Sequence, residues 1–536
     1  MKAEESTKAG PGKWWRDPLG WVMAALLVFY AVQLGMHMRA YGSGADPSGY
    51  LNNAKILGSG RMMVDPRTIP GLDVKKFQPM SFVPYAFRPG RHGKMYPVYS
   101  PGLSVAVLCA ALVTGWNAAP GAAMLAMALL GILATVWLCL EMGLPRRWAW
   151  LGGALLAASP MFFAMSTVLM SDAPALTSVA CAVVLAWKSR ARPVWALAAG
   201  AVFAYGIFVR ATNALAIFPL AVCFGFAWRR WIFFDLGGFP GAVIWCLYNK
   251  LACGHLFQTG YGDSSALLGS LFSWAAIRGA WLCYTRWLPW LIPPVWLFAL
   301  GLPLLLRRNF SRVLMLMAWM LAFFCFYAAD RDTGAKTNLR YLLPAFPACI
   351  AGALMVIYRL FDTDAARRLG AAAPRALRPI GPALAIAAVV VYAAYARPLY
   401  SPDTFGTYSA TYKTATDWAN DHLPPNSVVT CATASGSVYC YTPFTIVRWE
   451  WMVPEQWREL VAVCEADHRP IYAVVVPPYD IKELIYHPQT AGNKPIANAN
   501  ELVATLPGTW KPIGTAGAAS FWQLDMTESG AAPSQP

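Results

Sequence analysis

The chain has 536 residues, of which 57% are hydrophobic and only 13% charged, and a formal net charge of +16. That much apolar surface excludes an ordinary soluble globular protein and points to a polytopic α-helical membrane protein. In such a chain the excess of cations does not signal nucleic acid, because the side on which each cation falls matters more than the sum.

Residues 1–18 are a short basic tail, with Lys2, Lys8, Lys13 and Arg16 ahead of the first apolar run. No small-residue cleavage site follows, so the tail is read as cytoplasmic and Trp21–Met38 as an uncleaved first span. Residues 19–396 form the transmembrane domain. Its first loop, residues 39–120, is rich in Pro, Gly and Tyr and is expected to be external, ordered and functional.

Further apolar stretches follow at Ala122–Met142, Trp148–Val168, Ala173–Trp187, Val194–Val209 and Ala211–Trp228. Later ones are Ile232–Leu251, Trp287–Leu306, Val313–Ala328, Tyr341–Tyr358 and Ile380–Tyr395. Basic clusters at Arg146-Arg147, Lys188–Arg192, Arg229-Arg230, Arg307–Arg312 and Arg359–Arg378 are each a pair of spans apart, which places all of them in the cytoplasm. Pro101–Trp116 is apolar but falls short of the roughly 20 residues a spanning helix needs. Counting it as a span would invert every later basic loop, so it is read as an external juxtamembrane or re-entrant helix. About eleven spans result, with the C-terminus outside the cytoplasmic (inner) membrane.

Residues 397–528 change character. Helical patterns at Tyr408–His422 and Glu455–Asp467 alternate with strand-like runs at Val428–Thr430, Phe444–Val447 and Ile471–Val476. They are expected to form an extracytoplasmic α/β domain, with residues 529–536 a disordered tail. Cys431 and Cys440 could pair there in an oxidising compartment, which would leave Cys464 over. The other nine cysteines lie in or near apolar segments, as small packing residues do.

Chemistry concentrates in the first loop and the later external turns. Asp46, in Ser43-Gly-Ala-Asp-Pro-Ser-Gly-Tyr50, is a carboxylate held at a membrane surface. It reads both as a cap for the helix that follows and as a general base for an acceptor hydroxyl. Arg210, Arg286, Arg331, Lys336 and Arg340 are cations on the face where few are expected, and the guanidinium fork suits phosphate. Pairing with Asp172, Asp263, Asp330 or Asp332 is the plainer explanation of any one of them. In Gly90-Arg-His-Gly-Lys-Met-Tyr-Pro-Val-Tyr-Ser-Pro-Gly102, Lys94 is a candidate phosphate ligand, and Tyr96 and Tyr99, with Tyr50, are candidate sugar or acceptor contacts. His92 reads as a surface residue. Asp172 is a second external carboxylate able to hold sugar hydroxyls or a cation. No Cys/His cluster has zinc-site spacing; no cofactor is required, and a need for a divalent cation stays open.

These motifs, with Met170-Ser-Asp-Ala-Pro174, Phe208-Val-Arg-Ala-Thr-Asn213 and Asn338-Leu-Arg-Tyr-Leu-Leu-Pro344, resemble the GT-C superfamily of membrane glycosyltransferases. The protein O-mannosyltransferase and aminoarabinose-transferase-like branch is the nearest. The resemblance spans about residues 18–400. It implies an active site on the outer face, a polyprenyl-phosphate-linked sugar donor, a glycan, lipid or protein acceptor, and a first-loop catalytic Asp at Asp46. Two departures bear on the acceptor. Many members carry Asp-Glu where this chain has Asp46-Pro47, and a His/Lys-Pro-Pro-Leu motif where it has Tyr96-Pro-Val-Tyr-Ser-Pro-Gly102. The expected activity is inverting sugar transfer to a hydroxyl; the rival readings are a transporter or flippase for an anionic or lipid-linked substrate, and a non-catalytic scaffold.

Overall fold

A computed structural model describes residues 18–260, 274–329, 336–361, 401–477, 479–481 and 498–526, with residues 387 and 394 singly. Nearly all of the expected span Ile380–Tyr395, the basic stretch after Phe361, Asp263, Asp330, Arg331, Asp332 and both tails lie outside them.

The chain opens with α1 (Pro18–Met36) and α2 (Asp46–Gly58). A two-stranded hairpin, β1 (Phe87–Pro89) and β2 (Met95–Pro97), precedes the short α3 (Gly102–Thr114). The helical layer continues with α4 (Ala119–Glu141), α5 (Arg146–Ala157), α6 (Pro160–Thr167), α7 (Asp172–Lys188) and α8 (Trp195–Val209). Next come α9 (Ile217–Phe224) and α10 (Trp228–Ala252). α7 runs through the centre of this layer and is apolar nearly all round, as a helix enclosed by others must be. α10 lies at its edge, with Ile232, Leu236, Phe239, Ile244, Leu247 and Leu251 exposed. An exposed row of this kind suits lipid rather than water.

Among the described residues four helices are long and apolar enough to cross a membrane, or five if the bent pair α5–α6 counts as one. The apolar stretches are therefore more broken than their lengths suggested. Trp148–Val168 divides at Ser159, which caps α6 from before Pro160, and the two halves meet at 61°. Ala211–Trp228 begins as a 3-10 turn over Ala211–Ala216. Trp287–Leu306 is interrupted where one helix ends at Leu291 and the next starts at Pro294. That second helix runs to Ala329 across a kink at Asn309.

The four described basic clusters gather at one end of the layer. Lys188 lies 3.9 Å from Glu141 at the ends of α7 and α4. Arg190 reaches Ser311 at 3.3 Å, Arg230 reaches the carbonyl of Phe224 at 3.2 Å, and Arg312 closes on Gly143, just before Arg146. Asp172 and Arg210 mark the opposite ends of α7 and α8.

At that opposite end sits a five-stranded sheet, ordered β4-β3-β5-β7-β6. β3 (Val428–Thr430) lies between β4 (Thr445–Val447) and β5 (Ile471–Val475), and all three are parallel and buried. Continuous apolar runs are what a strand covered on both faces requires. The antiparallel pair β6 (Thr509–Ala516) and β7 (Ala519–Asp525) completes the edge. Ile69, Leu72, Phe77 and Phe82 of the first loop pack with Trp457, Leu460 and Cys464 against this sheet. The loop is thus ordered between the helices and the sheet. Cys431 and Cys440, which could have paired, are both buried and free; Cys431 packs in the core of the sheet unit, and the Cys440 thiol lies 3.6 Å from Lys55 Nζ.

Candidate active site

Asp46 is the first residue of α2, followed by Pro47, whose fixed φ suits a first turn. It does not cap the helix: Ala45 holds that position, and no side chain caps it. The carboxylate is left for other partners, and Tyr99 donates to its Oδ1 at 2.5 Å. Gly49 permits this approach. A Cβ there would collide with the Tyr99 ring and stand 2.8 Å from the Cβ of Ala86. The Tyr50 and Tyr99 rings pack with centroids 5.1 Å apart.

Tyr50 joins Asp46 to a second set of charges. Its buried hydroxyl lies in the fields of Asp46 on one hand and of Arg210 and Asp172 on the other. Burial pushes this hydroxyl well above the ordinary phenol range, so it stays neutral.

Asp172 begins α7 much as Asp46 begins α2, but it is fully buried. Arg210 Nη2 donates to Asp172 Oδ1 at 2.9 Å, and Arg340 Nε lies 3.9 Å from the same oxygen. Arg210 also donates to Ser171 Oγ, at 3.3 Å from Nε and 3.1 Å from Nη2. α8 ends at Val209, Arg210 is extended, and the chain then tightens into the 3-10 turn. This break presents the guanidinium at the end of the helix. Arg340 comes from another 3-10 segment, Lys336–Ala345. Both guanidiniums approach the Tyr341 ring, at 5.1 and 5.2 Å from its centroid, and Tyr327 stacks on that ring at 5.4 Å. Asp172 Oδ2 and Arg210 Nη1 are buried without a hydrogen-bond partner among the described residues. Such atoms are costly to leave unsatisfied, and a bound anion or water would supply what they lack.

The other expected site residues divide between places. Lys94 follows the 3-10 turn of the hairpin and pairs through its backbone with Gly90 and Arg91. Tyr96, on β2, packs with Tyr248 and Ala252 of α10. Arg286 lies over Trp287, 5.1 Å from its centroid, on the helix Trp274–Leu291. His92 is exposed in a left-handed turn conformation. Four residues that the sequence reading did not single out border the site: Ser171, Tyr327, Tyr341 and Tyr408. Ser171 and Tyr341 were visible as neighbours of Asp172 and Arg340 within quoted motifs. Tyr327 and Tyr408 carry no local signal. Among the described residues no group of three His, Cys, Asp or Glu side chains is placed to hold a metal ion.

No protein-family model and no curated protein matches the sequence. The fold does match solved structures. The crystal structure of the aminoarabinose transferase ArnT from Cupriavidus metallidurans in the apo state has a TM-score of 0.58 at 16% identity, covering 96% of this chain and 99% of that one. The same protein bound to undecaprenyl phosphate gives 0.57 at 15% identity, covering 97% and 100%. The Archaeoglobus fulgidus oligosaccharyltransferase in its apo form gives 0.48 at 14%, covering 86% and 70%. At these identities the likeness is one of architecture, and the ArnT pair carries it: this chain shares the fold of the ArnT structures.

Proposed function

We propose that this chain is a glycosyltransferase of the inner membrane. It moves a sugar from a polyprenyl-phosphate donor to an acceptor hydroxyl on the extracytoplasmic face. The observation that carries this reading is Tyr50, whose hydroxyl lies in the fields of both Asp46 and the Arg210–Asp172 pair, which Arg340 also approaches. A base and two guanidiniums are thereby brought to one end of the helical layer. The undecaprenyl phosphate bound to ArnT supports the class of donor. Gathering of the basic clusters at the far end supports an extracytoplasmic site under the positive-inside rule. A cytoplasmic N-terminus, about eleven spans and an extracytoplasmic domain over residues 397–528 belong to the same proposal.

In this mechanism the donor's tail lies along the exposed apolar faces of the helical layer. Its phosphate meets Arg210 and Arg340, with Lys94 steering its approach from the hairpin. Asp46 takes the proton of the acceptor hydroxyl while that oxygen forms a bond to the anomeric carbon, from the side opposite the phosphate. The bond from the anomeric carbon to the phosphate oxygen breaks, configuration inverts, and polyprenyl phosphate departs with the electron pair. Tyr99 holds the Asp46 carboxylate in orientation through its hydrogen bond. A fixed cation facing charge that builds in the transition state contributes about 3 kcal/mol. Asp172 takes a different part from the sugar contact expected of it: buried beneath the guanidiniums, it sets their spacing. Tyr50 and Tyr99 remain the aromatic pair nearest the reacting sugar.

The test is incubation of the purified protein with a polyprenyl-phosphate-linked sugar and assay of released polyprenyl phosphate. Release in the wild type and its loss in Asp46→Asn is the expected result. A transporter or flippase would move the lipid and release nothing. Turnover retained in Asp46→Asn would remove Asp46 from the mechanism.

A further inference from the structure

The segment that leads into Asp46 is held almost wholly by residues far along the chain. The Gly42 amide donates to the Tyr441 hydroxyl at 2.8 Å, and the hydroxyls of Ser43 and Ser409 share a hydrogen bond of 2.9 Å. Gly44, at φ +50°, lies under the Tyr408 ring, so close that an added Cβ would stand 3.0 Å from Tyr408 Cζ and nearer still to its hydroxyl. On α2 itself, Asn52 donates to the Gly436 carbonyl at 3.0 Å and Lys55 to that of Cys440 at 2.7 Å. Asp46 also contributes to the field at the Tyr408 hydroxyl.

Tyr408 is fixed in turn from inside the sheet. Tyr412, one turn further on the helix Pro402–His422, and Tyr479 meet its ring at 5.0 and 4.5 Å between centroids. The Tyr412 hydroxyl donates to Thr433 Oγ1 at 3.1 Å. Thr433 donates to Asp480 Oδ1 from its hydroxyl at 2.6 Å and its amide at 3.0 Å, and the Val476 amide donates to Oδ2 at 2.6 Å. Asp480 is completely buried, and these donors are all neutral. Thr433 and Asp480 follow the C-terminal ends of the parallel neighbours β3 and β5, where the chain turns to opposite sides of β3. In open α/β sheets this is where functional side chains collect. Among the described residues no cation pairs with this carboxylate, and burying one on neutral donors alone is costly.

We propose that Asp480 is a positioning residue for Asp46: through Thr433 and Tyr412 it fixes Tyr408, which holds Gly44 and so sets the Asp46 carboxylate. The sheet unit is then part of the catalytic device, not a cover over it. This inference rests on the glycosyltransferase reading, and its experiment separates the two. Purified full-length Asp480→Asn and Tyr412→Phe are assayed for released polyprenyl phosphate, with turnover expressed per donor-binding site. Asp480→Asn turns an amide against the Val476 N–H; Tyr412→Phe keeps the ring and cuts the link to Thr433 even if the first variant folds poorly. For each, kcat is expected to fall, towards the roughly 10²-fold that a displacement of about 1 Å costs, while donor KM stays within about twofold. Glu455→Gln, on an exposed helix face of the same unit, is expected to keep wild-type kcat. If the wild type turns over, Asp46→Asn does not, and both variants keep wild-type kcat per site, the positioning role is overturned and the glycosyltransferase reading stands. A wild type that releases no polyprenyl phosphate overturns both.

Discussion

Asp46 and Asp172 each begin a helix at the same end of the molecule, yet the regions around them differ in kind. Asp46 is partly exposed and is held by one neutral hydroxyl, that of Tyr99. Asp172 is fully buried and is met by two guanidiniums. A carboxylate with a single neutral partner keeps lone pairs for a substrate proton. One approached by two guanidiniums is already committed, and its removal would take the counterion from Arg210. In the proposed mechanism one acid reacts and the other holds the groups that bind.

The sharpest way to break this contrast is to neutralise each acid in turn. Asp46→Asn is expected to cut turnover by about 10²–10⁴-fold, the usual worth of a general base, with thermal unfolding in detergent unchanged. Equal losses of stability and turnover would make Asp46 structural. Asp172→Ala is expected to do the reverse first, destabilising the protein by about 3–5 kcal/mol in a denaturation series because the Arg210 guanidinium loses its buried counterion.

Asp480 sharpens the comparison, being a buried acid with neutral donors in place of guanidiniums. Burial, and after it the nearby Glu450 carboxylate, outweigh its hydrogen bonds and push it up to about 6. A carboxyl whose folded value is raised is most favourable when protonated, so its contribution is fully present below the ordinary value of 3.8 and is lost as pH rises through about 6. The full swing is on the order of 3 kcal/mol, and Asp480→Asn should flatten it in unfolding measured from pH 4 to pH 8.

Arg340→Ala leaves Asp172 paired with Arg210 and is expected to weaken donor binding by about 2 kcal/mol, with acceptor KM unaffected. Titration with a polyprenyl phosphate reads the effect directly, and an unchanged affinity would remove Arg340 from the phosphate site. Smallest is Tyr99→Phe, which deletes one hydrogen bond worth about 1 kcal/mol and should lower turnover several-fold through a less well oriented Asp46.

Much of this site was legible because it depends on sidedness, and sidedness is written in the order of apolar runs and basic clusters. The motifs around Asp46, Asp172, Arg210 and Arg340 stood out as charge placed against apolar runs, and the structure brings these four residues to one end. Tyr96 and Tyr99 show where such reasoning stops. Three residues apart in one motif, they diverge to α10 and to Asp46, and only the path of the hairpin decides which goes where. The sheet shows the same limit. The buried parallel strands β3, β4 and β5 were evident as short apolar runs, whereas the pair β6–β7, with Gly514, Pro512 and mixed polarity, carries no such pattern.

Composition and the spacing of cations, by themselves, determined a helical membrane protein with charge chemistry on one face, because burying an apolar run or a lone charge has the same cost whatever the neighbours. The hold of Tyr408 on Gly44 and that of Tyr441 on Gly42 were decided by the tertiary structure alone. Each depends on which groups meet across hundreds of residues, and a local pattern holds no information about a contact whose partner is elsewhere in the chain.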